Sequence, residues 1–226
     1  MDWTQQFDGY CERVDLTYWS EPVNAVTNAA FIIAAVLMWG RTKGTTPARA
    51  LCLVLFAIGV GSYLFHTHAT GWALLADVAP IGIFILFYLY LVHRDVIGLN
   101  LWLALGATVL FLPYAAGVTT LLRGVPFFEV SNFYWTVPIL LFIYGPALWS
   151  RYPGTARGMV IGGVILTASI SFRSVDEMVC DQFPLGTHFL WHILNGVMLG
   201  WMIEVYARHM RMSGRLHGRG QDARTP

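Results

Sequence analysis

Long stretches without a single charged residue are the feature that most constrains how this chain folds. No Asp, Glu, Lys or Arg lies between Glu21 and Arg41, and none lies between Arg49 and Asp77. A helix needs about 20 mainly apolar residues to cross the hydrocarbon core of a bilayer. Each of these two stretches is therefore long enough for one membrane-spanning helix.

The overall composition points to the same class of protein. Only 12% of the 226 residues are charged and 56% are hydrophobic, whereas soluble domains carry about 25% charged residues. So few charges cannot cover the surface of a water-soluble domain of this size, which excludes a soluble globular enzyme. The sequence predicts one all-α domain, integral to a cell or inner membrane.

Charge positions and hydropathy together divide the chain into seven predicted membrane-spanning helices, of which the third includes Asp77. They are Val23–Trp39, Pro47–Thr67, Trp72–Val92, Leu99–Leu121, Ser131–Trp149, Gly158–Phe172 and Gly186–Tyr206. The sixth span is short for a bilayer and must borrow residues on both sides. The prediction is a seven-helix bundle over residues 23–207, preceded by an acidic segment at 1–22 and followed by a basic tail at 208–226.

Basic residues in the short loops predict the orientation, because cytoplasmic loops carry an excess of Lys and Arg. With seven spans, eleven basic residues fall on one side and three on the other. The larger group is Arg41, Lys43, Arg49, Arg94, Arg151, Arg157, Arg208, Arg211, Arg215, Arg219 and Arg224, and the smaller is Arg13, Arg123 and Arg173. We therefore expect an external N-terminus and a cytoplasmic C-terminus, with the basic tail contacting anionic lipid and not nucleic acid.

Under this topology, a group of polar side chains lies at one depth near the outer leaflet. The group consists of Ser62, His66, Asp77, His188 and His192. Ionisable residues within membrane helices are costly and usually face the bundle interior, where they serve function. His188 and His192 are four residues apart, so they share one helix face within reach of a single ion. With His66 they match a zinc site with three protein ligands and an open fourth position.

The two other members of this group suggest hydrolytic chemistry. Asp77 is the nearby carboxylate for a general base, and Ser62 lies one turn from His66, where its hydroxyl could stabilise an oxyanion. Simpler interpretations stay open for each residue. A histidine in a membrane helix often bonds a neighbouring helix, and a serine often bonds its own helix.

The predicted outer segments carry further acidic residues and two cysteines. The acidic residues are Asp8, Glu12, Asp15 and Glu21 before the first span and Asp176, Glu177 and Asp181 before the last. Such oxygen donors could hold Ca²⁺, which takes six to eight oxygen ligands, although composition alone favours ordinary external acidity. Cys11 and Cys180 share the outer side, where a disulfide can persist, and Cys52 lies within the second span.

Taken together, several motifs resemble the alkaline ceramidase family, part of the CREST superfamily of seven-helix membrane hydrolases. They are Glu21-Pro22-Val23-Asn24-x-x-x-Asn28, Ser62-x-x-x-His66, Asp77 eleven residues further on, and His188-x-x-x-His192. The segment Tyr10-Cys11-Glu12-Arg13 resembles the start of prokaryotic-type members. The motifs follow the family's order over nearly the whole chain.

The resemblance implies an intramembrane zinc amidase that cleaves ceramide or a related membrane lipid to a fatty acid and a sphingoid-type amine. His66, His188 and His192 would bind the zinc ion. Asp77 would hold the attacking water, and Ser62 would be the motif serine beside it.

The resemblance also implies features of the outer segments. The family's calcium site would map onto Asp8, Glu12 and Glu21. Asp15 is a candidate for the middle ligand, because eukaryotic members have two more residues in this segment. The family's disulfide would map onto Cys11–Cys180.

Other functions are compatible with part of this pattern. A seven-helix receptor or channel-like protein, similar to the progestin and adipoQ receptors and hemolysin III proteins, shares the Ser, Asp and His residues. The Glu21, Asn24 and Asn28 motif favours the ceramidase branch. A lipid esterase or phospholipase could use the same zinc site. A retinal protein is excluded because the only lysine, Lys43, lies in a predicted cytoplasmic loop.

Overall fold

The computed structural model describes residues 2–222, with side chains described as far as residue 214. Every regular element in this part of the chain is a helix, apart from one isolated bridge between Gln6 and Thr70. The α-helices are α1 (Pro22–Thr27), α2 (Ala29–Arg41), α3 (Thr46–His68), α4 (Gly71–Leu91), α5 (Leu101–Val109), α6 (Phe111–Leu121), α7 (Pro126–Glu129), α8 (Asn132–Leu148), α9 (Pro153–Val175) and α10 (His188–Asp222). A π-helical turn at Val92–Ile97 extends α4, and a 3-10 turn at Glu177–Val179 follows α9.

Among the described residues, five helical segments are long and apolar enough to cross a bilayer. They are Pro22–Arg41, Thr46–His68, Gly71–Ile97, Leu101–Leu121 and Pro153–Val175. α8 is also apolar but has only 17 residues. Large apolar side chains such as Trp102, Leu110 and Leu112 are exposed on the helix surfaces, as expected where lipid surrounds the protein. The chain is a multi-pass membrane protein, and the number of seven spans stays a prediction.

Two predicted spans differ from the observed helices in the middle of the chain. The sixth span is extended on both sides, as its short predicted length required, because α9 runs from Pro153 to Val175 and includes both Arg157 and Arg173. The fourth span is divided into α5 and α6 at Leu110. Pro113 explains the division, since proline has no N–H for the carbonyl four residues earlier.

The last helix is longer than predicted. α10 begins at His188 and continues to Asp222, beyond the predicted end at Tyr206. The predicted basic tail therefore begins within this helix. Of its arginines, Arg224 lies outside the described residues, and the side chains of Arg215 and Arg219 lie outside those described.

α3 has a central position in the bundle. It contacts α2, α4 and α10, while α10 also packs against α2 and α9. Buried apolar side chains fill the space between these helices, including Leu51, Leu55 and Ile58 of α3 and Met202 and Ile203 of α10. This packing brings the C-terminal end of α3 to the N-terminal end of α10.

The N-terminal segment (residues 2–21) covers this end of the bundle. The Phe7 N–H donates to the carbonyl of Ala69 (2.8 Å), and the Gly71 N–H donates to the carbonyl of Gln5 (3.0 Å). A disulfide between Cys11 and Cys180, with 5.2 Å between their Cα atoms, joins the segment to the loop before α10. It confirms the pairing that the family resemblance implies.

Candidate metal centre

Three histidines meet where α3 ends and α10 begins. His66 lies in the last turn of α3, and His188 and His192 lie in the first turns of α10. Each offers a ring nitrogen, and these three nitrogens lie within 4.8 Å of one another. The residues are almost completely buried, with exposed fractions of 1%, 2% and 0%. The structure thus brings together the three residues predicted to bind zinc.

The hydrogen bonds of the rings leave nitrogens available for a metal ion. Glu21 Oε2 lies 2.6 Å from His66 Nδ1, and Thr27 Oγ1 lies 3.0 Å from His192 Nδ1. His192 Nε2 and His188 Nδ1 are buried without a hydrogen-bond partner among the described residues. Buried polar atoms are nearly always paired. A zinc ion fits this arrangement, because zinc-binding histidines use one nitrogen for the metal and donate the other to a carboxylate or similar acceptor.

Asp77 approaches the histidines across the contact between α3 and α4. Gly61 packs so closely against the α4 backbone that an added Cβ would overlap Ala76. This approach places the Asp77 carboxylate beside the Ser62 hydroxyl and within electrostatic range of His66. Asp77 Oδ1 is buried and unpaired among the described side chains. The predicted zinc ligands, base and serine therefore lie together, while their roles stay predictions.

Tyr10 of the N-terminal segment covers the histidines. Its ring stacks on His188, with 3.9 Å between ring centroids, and lies 5.2 Å from the ring of His66. Its phenol hydrogen-bonds with Arg173, whose guanidinium also donates to Ser131 Oγ at 2.8 Å. Burial raises the pKa of Tyr10 above its ordinary value, so the phenol stays neutral at pH 7. No pattern in the sequence indicated that Arg173 lies here.

Comparison with known proteins decides the family. The family model described as Ceramidase matches residues 8–219, which include all three histidines and the motifs around them. The chain belongs to the ceramidase family. This confirms the resemblance in the motifs and implies a hydrolase that acts on amide bonds. No individual curated protein matches the chain.

The ceramidase motif at Glu21 and Asn24 attaches the start of α1 to the histidine group. Asn24 Nδ2 donates to Glu21 Oε2 (3.1 Å), the oxygen that also contacts His66. Burial alone would raise the pKa of Glu21, but the hydrogen bond and charge of His66 and the charge of Arg13 lower it below its ordinary value. Glu21 is therefore ionised at neutral pH and can accept a hydrogen bond from a protonated ring nitrogen of His66.

Glu12 has a separate function at the start of α1. Its two carboxylate oxygens accept the backbone N–H groups of Val23 and Asn24, each at 2.7 Å. A negative charge at this end of a helix is favourable, because the first N–H groups have no partner within the helix. Glu12 is therefore a capping residue.

In this ceramidase-family chain the structure does not support the predicted calcium site. Both carboxylate oxygens of Glu12 accept hydrogen bonds from helix N–H groups. The two carboxylate oxygens of Glu21 contact Arg13 and His66. Asp8 and Asp15 are exposed. The three histidines are the only group with metal-binding geometry among the described residues. The calcium prediction is therefore not supported, because the two buried carboxylates already have other partners.

Asp176 fixes the start of α10 and hence the position of His188. Its Oδ1 accepts the N–H groups of Thr187 (2.6 Å) and His188 (2.8 Å), and its Oδ2 accepts the N–H of Cys11 (3.1 Å). Gly186 has a φ of +66°, and an added Cβ would overlap Asp176. In the sequence, Asp176 is one of several acidic residues predicted to lie outside. Gly186 is the sequence feature that could have indicated a close contact before α10.

An apolar cavity lies inside the bundle of this ceramidase-family protein. Its lining includes Trp191 and Asn195, which lie on either side of His192 in the sequence of α10, but none of the three histidines. The cavity continues between α4 and α10 as far as Tyr88 and Met202, and almost all of its lining is hydrocarbon or aromatic. Its chemistry suits an aliphatic chain.

Proposed function

We propose that the protein is a zinc-dependent intramembrane amidase that hydrolyses the N-acyl bond of ceramide or a related lipid. The products are a fatty acid and a sphingoid-type amine. Family membership supports amide hydrolysis in general. The observation that carries the finer proposal is the group of three buried histidines, two of them with unpaired ring nitrogens, near a carboxylate that has one buried, unpaired oxygen.

His66, His188 and His192 would hold the zinc ion through one nitrogen each, the three-ligand set typical of catalytic zinc sites. When bound, such an ion acts as a Lewis acid and makes water acidic enough to attack at neutral pH. The stacked Tyr10 ring excludes bulk water from one side of the site.

Asp77 is the proposed general base. Its Oδ1 has no hydrogen-bond partner among the described residues, so it can accept the proton of the attacking water. The proton then passes to the nitrogen of the leaving amine as the C–N bond breaks. Ser62 holds the Asp77 carboxylate. Once Asp77 carries the proton, the Ser62 hydroxyl can donate to the oxygen on which negative charge develops.

The apolar cavity is the proposed site for the acyl chain. Trp191 and Asn195 of its lining are neighbours of His192 in α10, so hydrocarbon that extends from there toward Tyr88 and Met202 would leave the amide carbon near the histidines. Burial of the chain in this cavity would hold the amide in place. Most of the binding energy then comes from the part of the lipid that does not react.

We further infer seven spans, with the N-terminus outside and the metal centre near the outer leaflet. α8 and α10 would supply the two spans beyond the five long apolar segments. The N-terminal segment and its disulfide lie at the metal-centre end of α10. A stable disulfide is typical of an oxidising external compartment, which supports this orientation.

Fatty-acid release, measured by mass spectrometry, tests the proposed function. Purified protein would be incubated with N-acyl sphingoid bases, N-acyl amino lipids and O-acyl lipids, alongside chelator-treated protein and Asp77→Asn. We expect release from amides only and no release in either control. Release from esters would instead identify a lipid esterase. No release from any lipid by zinc-loaded protein would contradict the proposal and favour a receptor-like function.

A further inference from the structure

Arg13 is a buried cation of the N-terminal segment, with an exposed fraction of only 6%. Its guanidinium donates to three oxygens from separate parts of the chain. Nε donates to Glu21 Oε1 at 2.5 Å, Nη1 to the carbonyl of Asp15 at 3.1 Å, and Nη2 to the carbonyl of His66 at 3.0 Å. One side chain thus joins the N-terminal segment, the start of α1 and the end of α3.

The oxygens around Arg13 are of the kind that surrounds a bound calcium ion. Carboxylate and backbone carbonyl oxygens are the ligands that Ca²⁺ prefers, and here a carboxylate and two carbonyls converge on a guanidinium. Arginine is always charged, and its N–H groups form a rigid fork. Arg13 therefore supplies at this point both the positive charge and the fixed directions that a bound ion would supply.

The same contacts hold His66 from two sides. Glu21 Oε1 is fixed by Arg13, so Glu21 Oε2 is held 2.6 Å from His66 Nδ1. Arg13 also binds the backbone carbonyl of His66, near the end of α3, where carbonyls lack partners within the helix. Carboxylate partners of this kind set the tautomer and orientation of metal-binding histidines.

We propose that Arg13 takes the place of a calcium ion in this protein and positions His66 to bind zinc. The inference rests on the proposed function, since it assumes that the three histidines hold zinc. Arg13 is a positioning residue that acts through Glu21 and His66 and touches neither substrate nor metal. Calcium is accordingly unnecessary for the fold or for the metal centre.

Zinc affinity, measured by competition with a chelator, tests the positioning role without using turnover. Arg13→Gln should weaken zinc binding by about 10–100-fold, the usual effect of removing an outer-shell partner. Arg13→Lys keeps the charge but lacks the fork, so its affinity should lie between wild type and Arg13→Gln. Arg123→Gln changes an exposed arginine on the predicted outer side and should retain wild-type affinity. Wild-type affinity in Arg13→Gln would overturn the positioning role.

Addition of calcium to metal-free protein tests whether Arg13 takes the place of a calcium ion. Neither the unfolding temperature nor the zinc affinity of the wild type should change, and a calcium-induced increase in either would overturn the replacement. Should Arg13→Gln fail to fold, Arg13→Lys provides the zinc comparison, and unchanged affinity there would count against the proposal. If wild type and variants bind zinc as expected but release no fatty acid, the proposed function alone fails. A wild type that binds no zinc would overturn both.

Discussion

Asp77 and Ser62 come together because Gly61 allows α3 and α4 to approach closely at this one point. The Asp77 carboxylate is thereby left with a buried, unpaired oxygen within electrostatic range of His66 on α3, while the other two histidines lie on α10. At the scale of single residues, the arrangement therefore separates two roles. The histidines would hold the metal, and Asp77 would move the proton.

Replacement of Asp77 by asparagine should separate these roles experimentally. An amide cannot accept a proton from water, so turnover should fall by about 10²–10⁴-fold, the usual contribution of a general base. Zinc content should stay unchanged, because all three proposed ligands remain. Turnover and metal analysis of the same preparation measure both quantities. Asp8→Asn, at an exposed carboxylate, is the control, and near-wild-type turnover in Asp77→Asn would show that another group is the base.

Gly61→Ala should disturb the approach of α3 to α4. The added methyl group would overlap the Ala76 backbone, and overpacking of this kind costs about 1–3 kcal/mol. We expect a lower unfolding temperature in detergent and reduced turnover. Gly82→Ala in α4 is the matched control, since nothing lies within 4 Å of its added Cβ. Equal unfolding temperatures for the two variants would contradict the importance of this contact.

The sequence predicted the metal-site residues but not the side chains that orient them. Spacing by four residues puts His188 and His192 on one helix face whatever the rest of the fold does. The positions of Arg13 and Asp176 depend on tertiary contacts, because Asp176 binds the N–H of Cys11 across 165 positions of sequence. By composition alone, Asp176 is one more acidic residue of the predicted outer segments. No local pattern distinguishes a helix-capping carboxylate from a solvated one.

At the scale of elements, the N-terminal segment is a cover attached at several points. Backbone bonds hold it to the α3–α4 connection, and the disulfide between Cys11 and Cys180 holds it to the loop before α10. Tyr10, between these attachments, stacks on His188. The position of the cover and the geometry of the metal centre are therefore linked.

Reduction of the disulfide should loosen this cover. Arg13 is buried in the folded protein, so trypsin should cleave after it slowly in oxidised protein and several-fold faster in reduced protein. Because Cys11 keeps the cleaved fragment attached through the disulfide, both digests are quenched, denatured and fully reduced before mass spectrometry of the fragment that ends at Arg13. Cys52→Ser, at the free buried cysteine of α3, should leave the response to reductant unchanged. Equal cleavage rates with and without reductant would show that the disulfide does not hold the segment in place.

Helix boundaries show where sequence reasoning loses accuracy. Charges were treated as ends of spans, yet α9 includes Arg157 near its start and Arg173 near its end. Long arginine side chains can extend from within a helix toward polar partners, as Arg173 does toward the Val130 carbonyl and Ser131 Oγ. The division between α5 and α6 was predictable, because Pro113 cannot complete the helical hydrogen bond.

At the scale of the whole molecule, the cavity is the proposed site for the acyl chain inside the bundle. Met198→Trp should fill part of this cavity, which Met198 lines. Turnover of long-chain amides should then fall about 10-fold or more relative to short-chain amides, because loss of room for a few methylenes is worth about 1–3 kcal/mol. Val197→Trp, at the neighbouring exposed position, is the control. Equal losses for long and short chains would place the acyl chain elsewhere.

The distribution of arginines predicts which way the whole bundle faces. Arg41 and Arg49 flank the α2–α3 connection, and Arg151 precedes α9, all on the side predicted to be cytoplasmic. With seven spans, a reporter that fluoresces only in the cytoplasm should be bright when fused after Pro226. An epitope placed before Met1 should be accessible to antibody on intact cells. An even number of spans would put both termini on one side, and an inverted bundle would reverse both signals. An inverted bundle would move the metal centre away from the outer leaflet and remove the oxidising environment in which the Cys11–Cys180 disulfide persists.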